Sequence, residues 1–411
     1  MSVVRRRLSK TFKEFFASGK SSGILLIICT VISLVLANSF LGENYLKFWH
    51  LPIGGLSLEL WVNDLLMAIF FLLIGLELKR ELYVGELSNV KNALLPIIAA
   101  VGGVVAPALI HLSLNAGTPT QAGIGIPMAT DIAFALGILS ILGNRVPASL
   151  KVFLAALAVI DDLIAIIVIA VFYTSDLSII YLGGALGIFA LLFILGRLRV
   201  LSLVPYMIGG AVMWYLMLKS GVHATIAGVL LAFTIPFSVK NGASDSASGS
   251  EENEDSPSHY LEHILHKPVS FIILPIFALA NTGIPINADS VQTLTHFNEI
   301  GIMCGLVFGK PVGITLASFI AVTVGLCRLP LDIRWRHIFG AGILGGIGFT
   351  MSIFITNLAF ADNMVEINGS KMAILLASLI AGTLGLVWLK LFGQPLADDE
   401  DMDTMDFEED A

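Results

Sequence analysis

What most constrains this chain is a train of apolar runs, most of them long enough to cross a bilayer, joined by short polar segments. Crossing roughly 30 Å of hydrocarbon takes about 20 apolar residues in a helix. Inside that layer the backbone must satisfy its own hydrogen bonds, which leaves helices or closed barrels. Twelve runs qualify, near residues 22–40, 58–78, 93–113, 121–142, 148–174, 179–196, 200–218, 222–236, 265–288, 299–326, 336–360 and 372–393, the eighth being short. The predicted fold class is an all-α polytopic membrane protein with twelve transmembrane helices.

Composition excludes the soluble alternative: 56% of residues are hydrophobic and only 13% charged, more hydrocarbon than a soluble core uses. The net charge of -8 is local, because five acids lie between Asp245 and Asp255 and nine between Asp398 and Asp410; the remainder carries +6. A mildly basic membrane body gives no support to a nucleic-acid partner; the expected partner is the lipid bilayer. Cys29, Cys304 and Cys327 fall within or at the ends of apolar runs and read as core-filling residues, not as a disulfide framework or metal ligands.

The Lys/Arg distribution tests the span count, since a wrong number would scramble its bias between alternate loops. With the N-terminus inside, 19 of 23 basic residues fall on the cytoplasmic side; Lys47, Lys219 and Lys371 fall outside and Lys310 lies within a span. Both termini are therefore expected in the cytoplasm. Residues 1–21 read as a basic amphipathic arm without a cleavage site, 22–396 as the twelve-span domain, about 240–259 as an acidic disordered loop, and 397–411 as an acidic disordered tail. Outside, Leu51 to Leu60 alternates at Leu56, Leu58 and Leu60 after Gly54-Gly55 and predicts a hairpin.

An ionisable residue deep in a span costs at least about 2.5 kcal/mol, so such residues are functional candidates by default. Four lie near mid-span: Asp131, Asp161, Asp162 and Lys310. Adjacent helical residues point about 100° apart, so one of Asp161 and Asp162 can line an ion path while the other meets a neighbouring helix. Span four carries Gly123, Gly125 and Pro127 before Thr130-Asp131, and span eleven carries Gly342, Gly345, Gly346 and Gly348, so both are expected to break near the midplane. Half-helix ends there carry partial charges, which Asp131 is expected to offset at N-termini and Lys310 at C-termini. Spans 3–5 and 10–12 share one plan, each with a broken middle helix, and lie seven spans apart, which predicts an inverted repeat with its site at the interface.

A small, anionic, oxygen-rich site suits a hard cation, and a carboxylate must lose its proton to bind Na⁺. Competition between H⁺ and Na⁺ for one carboxylate is itself an exchange mechanism, with the aspartate pair and Lys310 titrating as one coupled unit. No cofactor and no enzymatic chemistry are expected. A Na⁺-coupled solute symporter would need more polar or aromatic side chains at midplane than these spans offer. An intramembrane aspartyl protease would need a GxGD motif, which is missing.

The segments FFLLIGLELKREL (70–82), GIPMATDIAFALGIL (125–139), LAVIDDLIAI (157–166), GVHATIAGVLLAF (221–233), LEHILH (261–266), ILPIFALANTGI (273–284), FGKPVGI (308–314) and GIGFTMSIFI (346–355), in this order, resemble the NhaA family of bacterial Na⁺/H⁺ antiporters. Inverted repeats are a known property of that family. The resemblance implies an inner-membrane, electrogenic Na⁺ or Li⁺ for H⁺ exchanger. Asp162 would be the principal cation ligand and Asp161 the partner of Lys310, with Thr130, Asp131, Gly346 and Gly348 supporting the crossing of two discontinuous helices. It implies a pH-response cluster at Glu77, Glu81, Glu262, His263 and His266, a further pH-responsive His223, and a homodimer through the outside loop. The acidic stretch EENED (251–255) stands where relatives commonly carry a short basic loop, so no activation range is carried over.

Overall fold

The computed structural model describes residues 10–174, 177–237, 256–330, 332–361 and 363–394. The start of the basic arm, most of the acidic loop and the acidic tail lie outside the described residues.

α1 (Lys10–Ala37) is followed across a 117° bend by the short α2 (Gly42–Trp49). β1 (Pro52–Ile53) and β2 (Leu56–Ser57) then pair antiparallel. Gly54 and Gly55 close the turn at φ 61° and 90°, a left-handed pair that glycine adopts without a Cβ clash. The hairpin is shorter than the leucine alternation suggests, because the Ser57 hydroxyl accepts from Leu60 N–H and starts α3 (Leu58–Leu60). A π-helical stretch, Trp61–Leu66, carries α3 into α4 (Met67–Tyr83).

Then come α5 (Val90–Asn115), a 3₁₀ stretch (Pro119–Met128) leading to α6 (Ile132–Leu142), α7 (Ala148–Phe172), α8 (Ile179–Arg197), α9 (Val204–Ser220) and α10 (Ile226–Thr234). α11 (Pro257–Pro268) joins α12 (Leu274–Asn281) through π-helical Val269–Ile273, and α13 (Ala288–Thr293) is a short connector. α14 (Phe297–Cys304) joins α15 (Lys310–Thr323) through π-helical Gly305–Gly309. α16 (Trp335–Gly345) and α17 (Phe349–Ala359) meet at a 45° bend, and α18 (Met364–Phe392) closes the chain.

Among the described residues eight helical runs are long and apolar enough to cross a membrane, or ten if each bent pair counts as one. The protein is an all-α polytopic membrane protein. α9, with 17 residues, and α10, with 9, fall short of that length. The ninth expected span begins earlier than its hydropathy suggests. The Ser256 hydroxyl accepts from His259 N–H and Pro257 occupies the first turn, so the helix starts inside the segment read as loop and takes Glu262, His263 and His266 with it. It also stops at Asn281, short of the expected 288.

Burial ranks the spans. Two thirds of the most apolar windows of the Pro119–Leu142 and Ala148–Phe172 runs are buried, against 11% for α8, which is open along most of its length. Small residues let the inner helices touch. Gly102 of α5 lies against the Gly313 carbonyl of α15, and Gly228 of α10 against the Ala68 carbonyl of α4, contacts that a Cβ would block. α8, α9 and α10 share a separate apolar cluster, so the molecule has a main bundle and a satellite.

Candidate functional site

Both expected breaks occur, and they meet. Between the 3₁₀ stretch and α6 the chain is extended at Ala129 and Asp131, and Asp131 N–H donates to the Ile347 carbonyl in the α16–α17 break at 2.6 Å. Unwound backbone is tolerable here because each break satisfies the other. The Ser352 hydroxyl adds a bond to the Ile126 carbonyl at 2.7 Å. Gly346 and Gly348 keep ordinary negative φ values, -70° and -91°, so a left-handed turn does not require glycine. Close approach does: a Cβ on Gly346 would strike the Leu306 carbonyl, and one on Gly348 the Ser352 hydroxyl.

Asp131 is fully engaged. One oxygen accepts from Phe134 N–H at 3.0 Å, capping α6. The other accepts from Thr350 N–H at 3.0 Å and its hydroxyl at 2.6 Å, in the first turn of α17. One carboxylate thus meets two positive helix ends. Lys310, expected at the negative ends, instead contacts Asp161 Oδ2 and the Thr130 hydroxyl, the latter at 2.8 Å. Thr130 lies 2.7 Å from Asp161 Oδ2 and 2.9 Å from the Gly345 carbonyl, so it is the residue that reaches the C-terminal end of α16. Its single hydroxyl hydrogen serves one of those acceptors at a time.

Asp161 and Asp162 are fully buried on α7, which runs unbroken past the crossing. Asp161 turns to Lys310 and Thr130. Asp162 accepts no hydrogen bond at either oxygen, and Asp161 Oδ1 accepts none. Most buried polar atoms in native proteins are paired, so three bare carboxylate oxygens on adjacent residues are unusual and are free to take a proton or a cation. Two carboxylates and a hydroxyl suit a small cation. Among the described residues no group of three or more His, Cys, Asp or Glu side chains could hold a metal ion, so such a cation would also draw on hydroxyl or carbonyl oxygens.

A cavity of about 50 Å³ lies below this site, lined by Glu77, Arg80, Glu81, Glu262 and His266 with apolar residues of α6 and α7. Val152, Ala155, Ala156 and Val159 supply the α7 wall. Asp162 continues that i, i+3/i+4, i+7 face one turn on, about 4.5 Å along the axis. Arg80 ties the charged rim together, 3.0 Å from Glu262 and 3.3 Å from Glu81.

The family model described as Na⁺/H⁺ antiporter 1 matches residues 13–389. The chain is 66% identical over 395 residues to the Na⁺/H⁺ antiporter NhaA of Dechloromonas aromatica, covering 96% of this chain and 99% of the relative. It is 58% identical to that of Cytophaga hutchinsonii, over 96% and 98%. For that of Helicobacter pylori the identity is 46%, over 93% and 95%. The chain belongs to the NhaA family.

For the residues that the family resemblance singles out, the structure makes a clear division. Thr130, Asp131, Asp161, Lys310, Gly346 and Gly348 come together at the crossing, with Asp162 beside them. Glu77, Glu81, Glu262 and His266 share the cavity, whereas His263 is exposed and does not line it. His223 stands apart. Its Nε2 lies 2.7 Å from the Tyr173 carbonyl at the far end of α7, roughly 20 Å along that helix from Val159.

Sequence reasoning passed over several polar groups. Buried Lys79 points into the C-terminal carbonyls of α10, those of Ala232 and Phe233 at 3.3 Å and that of Ile235. Buried Asn63 and Asn281 and half-buried Asn357 form an amide chain between the runs of α4, α12 and α17. Tyr173 bridges the broken fourth span, donating to the Ala122 carbonyl at 2.7 Å and accepting from Gly125 N–H at 3.2 Å. Each has a partner remote in sequence.

Proposed function

We propose that the chain is a secondary antiporter that exchanges cytoplasmic Na⁺ or Li⁺ for external protons, with both cargo ions competing for Asp162. The observation that carries this reading is the contrast inside one helix: Asp161 is neutralised by Lys310, while Asp162 next to it is buried with no bond to either oxygen. A buried bare carboxylate needs a proton or a cation. Alternating exposure of the group then couples the two fluxes. Competition has a direct consequence: the apparent KM for Na⁺ should rise as pH falls, by up to about tenfold per unit for one competing proton. A Na⁺ affinity independent of pH from neutral to mildly alkaline conditions would oppose this.

The topology proposed with it has twelve crossings, the ten runs above completed by α9 and α10, with both termini in the cytoplasm of a bacterial inner membrane. α5 to α7 and α14 to α18 are read as inverted halves. The breaks at 129–131 and 346–348 occupy corresponding places and hydrogen bond to one another. The exchange is read as electrogenic and regulated by pH through Glu77, Glu81, Glu262, His263 and His266, with His223 as a separate group. The β1–β2 hairpin, with Leu51 and Ile53 about half exposed, is the proposed homodimer contact.

The test uses energised everted vesicles from antiporter-deficient bacteria, with a ΔpH-sensitive dye and Na⁺, Li⁺ or K⁺ added across a pH series. Collapse of ΔpH by Na⁺ and Li⁺, lost in Asp162→Asn, is expected. No cation-dependent collapse at any pH from folded, inserted protein would refute the antiporter reading and favour a Na⁺-coupled symporter.

A further inference from the structure

A second buried acid cluster lies at the other end of the main bundle, where α14 begins. Asn298 and Glu299, 2% and 1% exposed, sit in the first turn of that helix against His111 of α5 and against Glu366 and Ser370 of α18. Asn298 Nδ2 lies 2.9 Å from Ser370 Oγ, 3.2 Å from Glu366 Oε2 and 3.3 Å from Glu299 Oε1. Two amide hydrogens cannot serve three acceptors well at once. Because that nitrogen donates, the amide oxygen accepts from His111 Nε2 at 3.1 Å, which leaves Nδ1 as the bare ring nitrogen. His111 Nδ1 and Glu299 Oε2 are both buried with no hydrogen-bond partner among the described residues.

We propose that Glu299 and Glu366 form a proton-binding site on the outward half of the molecule, separate from Asp161 and Asp162, that sets the response of exchange to external pH. This rests on the antiport reading above. Two carboxylates accept from one amide nitrogen that also serves Ser370, and a proton on Glu299 supplies the hydrogen that the amide lacks. A purely structural role, with Glu299 stabilising the α14 N-terminus, explains one acid. It leaves the shared amide and the two bare buried atoms unexplained.

The charged surroundings leave room for a proton and supply no direct cation. His111 is the titratable group from α5, and the 3₁₀ stretch 119–128 contributes none. On α18, Lys371 follows Ser370, but its electrostatic partner is Glu59. His296, capping α14, is exposed, and the Asp289 side chain lies outside the described residues. Glu366 is only half-buried, which gives the pair access to the outside.

The link to exchange is mechanical. α14 passes through its π-helical turn into α15, whose first residue is Lys310, eleven residues and roughly 16 Å from Glu299. π-turns of this kind are frequent at functional sites. α5, which carries His111, packs along α15 at Gly102 and Gly313. A proton at Glu299 therefore acts on α15, whose Lys310 contacts Asp161, without itself crossing.

The experiment uses the full chain, uniformly oriented in proteoliposomes, with ²²Na⁺ flux measured while external and internal pH are varied independently. Glu299→Gln is expected to displace the external-pH midpoint by about one unit, with the internal-pH profile and the inner KM for Na⁺ unchanged. Glu299→Asp should restore most of the wild-type profile. Glu366→Gln, at a half-exposed position, should give the same one-sided shift and serves if Glu299→Gln does not fold. Superimposable external profiles, or equal displacement on both sides, would overturn the proposal. If wild-type vesicles exchange nothing, the antiport reading has failed on its own. Infrared titration of the protonated carboxyl band then decides the site: a component lost in both variants supports it, and an unchanged band refutes it.

Discussion

Two buried carboxylates of this protein lie at one level of the bundle and differ in almost every respect. Asp131, at the crossing of the broken spans, accepts three hydrogen bonds and caps two helices. Asp162, on unbroken α7, accepts none. The first is a charge whose counter-charges are fixed helix ends, so it stabilises the breaks and has nothing left to offer an ion. The second has no fixed partner, which is what a carboxylate that must alternate between a proton and a cation requires. Burial alone marks both; hydrogen bonding separates scaffold from site.

The largest expected effect falls on the bare carboxylate. Asp162→Asn should abolish Na⁺-dependent proton movement and leave the thermal unfolding midpoint near or above that of wild type, since a buried charge without a partner has been removed. Unfolding together with loss of exchange would erase the distinction between the two carboxylates. Next comes Lys310→Met, which strands Asp161 as an unpaired buried charge. It should cost about 3–5 kcal/mol in a denaturation assay, much of it recovered when Asp161→Asn is added.

Lys79→Met tests a scaffold charge whose partners are the carbonyls at the end of α10. Loss of the cation that meets the α10 carbonyls should cost about 1–3 kcal/mol, with exchange retained by the protein that still folds. The smallest change is Asp131→Asn, about 0.5–2 kcal/mol for weakened caps, with Na⁺ binding preserved. If Asp131→Asn loses Na⁺ binding as Asp162→Asn does while remaining folded, the two carboxylates are not different in kind.

The same contrast governs what is legible in the sequence. Asp131, Asp161, Asp162 and Lys310 are visible because a charge in an apolar run is costly wherever the chain goes. The breaks are visible as Gly123, Gly125 and Pro127, and as the glycines from 342 to 348. Why Gly346 must be glycine is not visible, since the reason is the approach of the Leu306 carbonyl from another span. Partners are hidden for the same reason: Lys79 meets carbonyls more than 150 residues away, and His111 meets Asn298 from 187 residues away. The start of α11 is obscured differently, because Ser256-Pro257, a good helix start, closes a polar stretch whose composition reads as loop.

The most direct test of the central claim is calorimetric titration of Na⁺ into the purified protein at constant pH, repeated in buffers of different ionisation enthalpy to count the protons released. Wild type and Asp131→Asn are predicted to release protons on binding Na⁺, and Asp162→Asn to bind no Na⁺ and release none. Na⁺ binding to Asp162→Asn at wild-type affinity, or wild-type binding without proton release, would contradict the account.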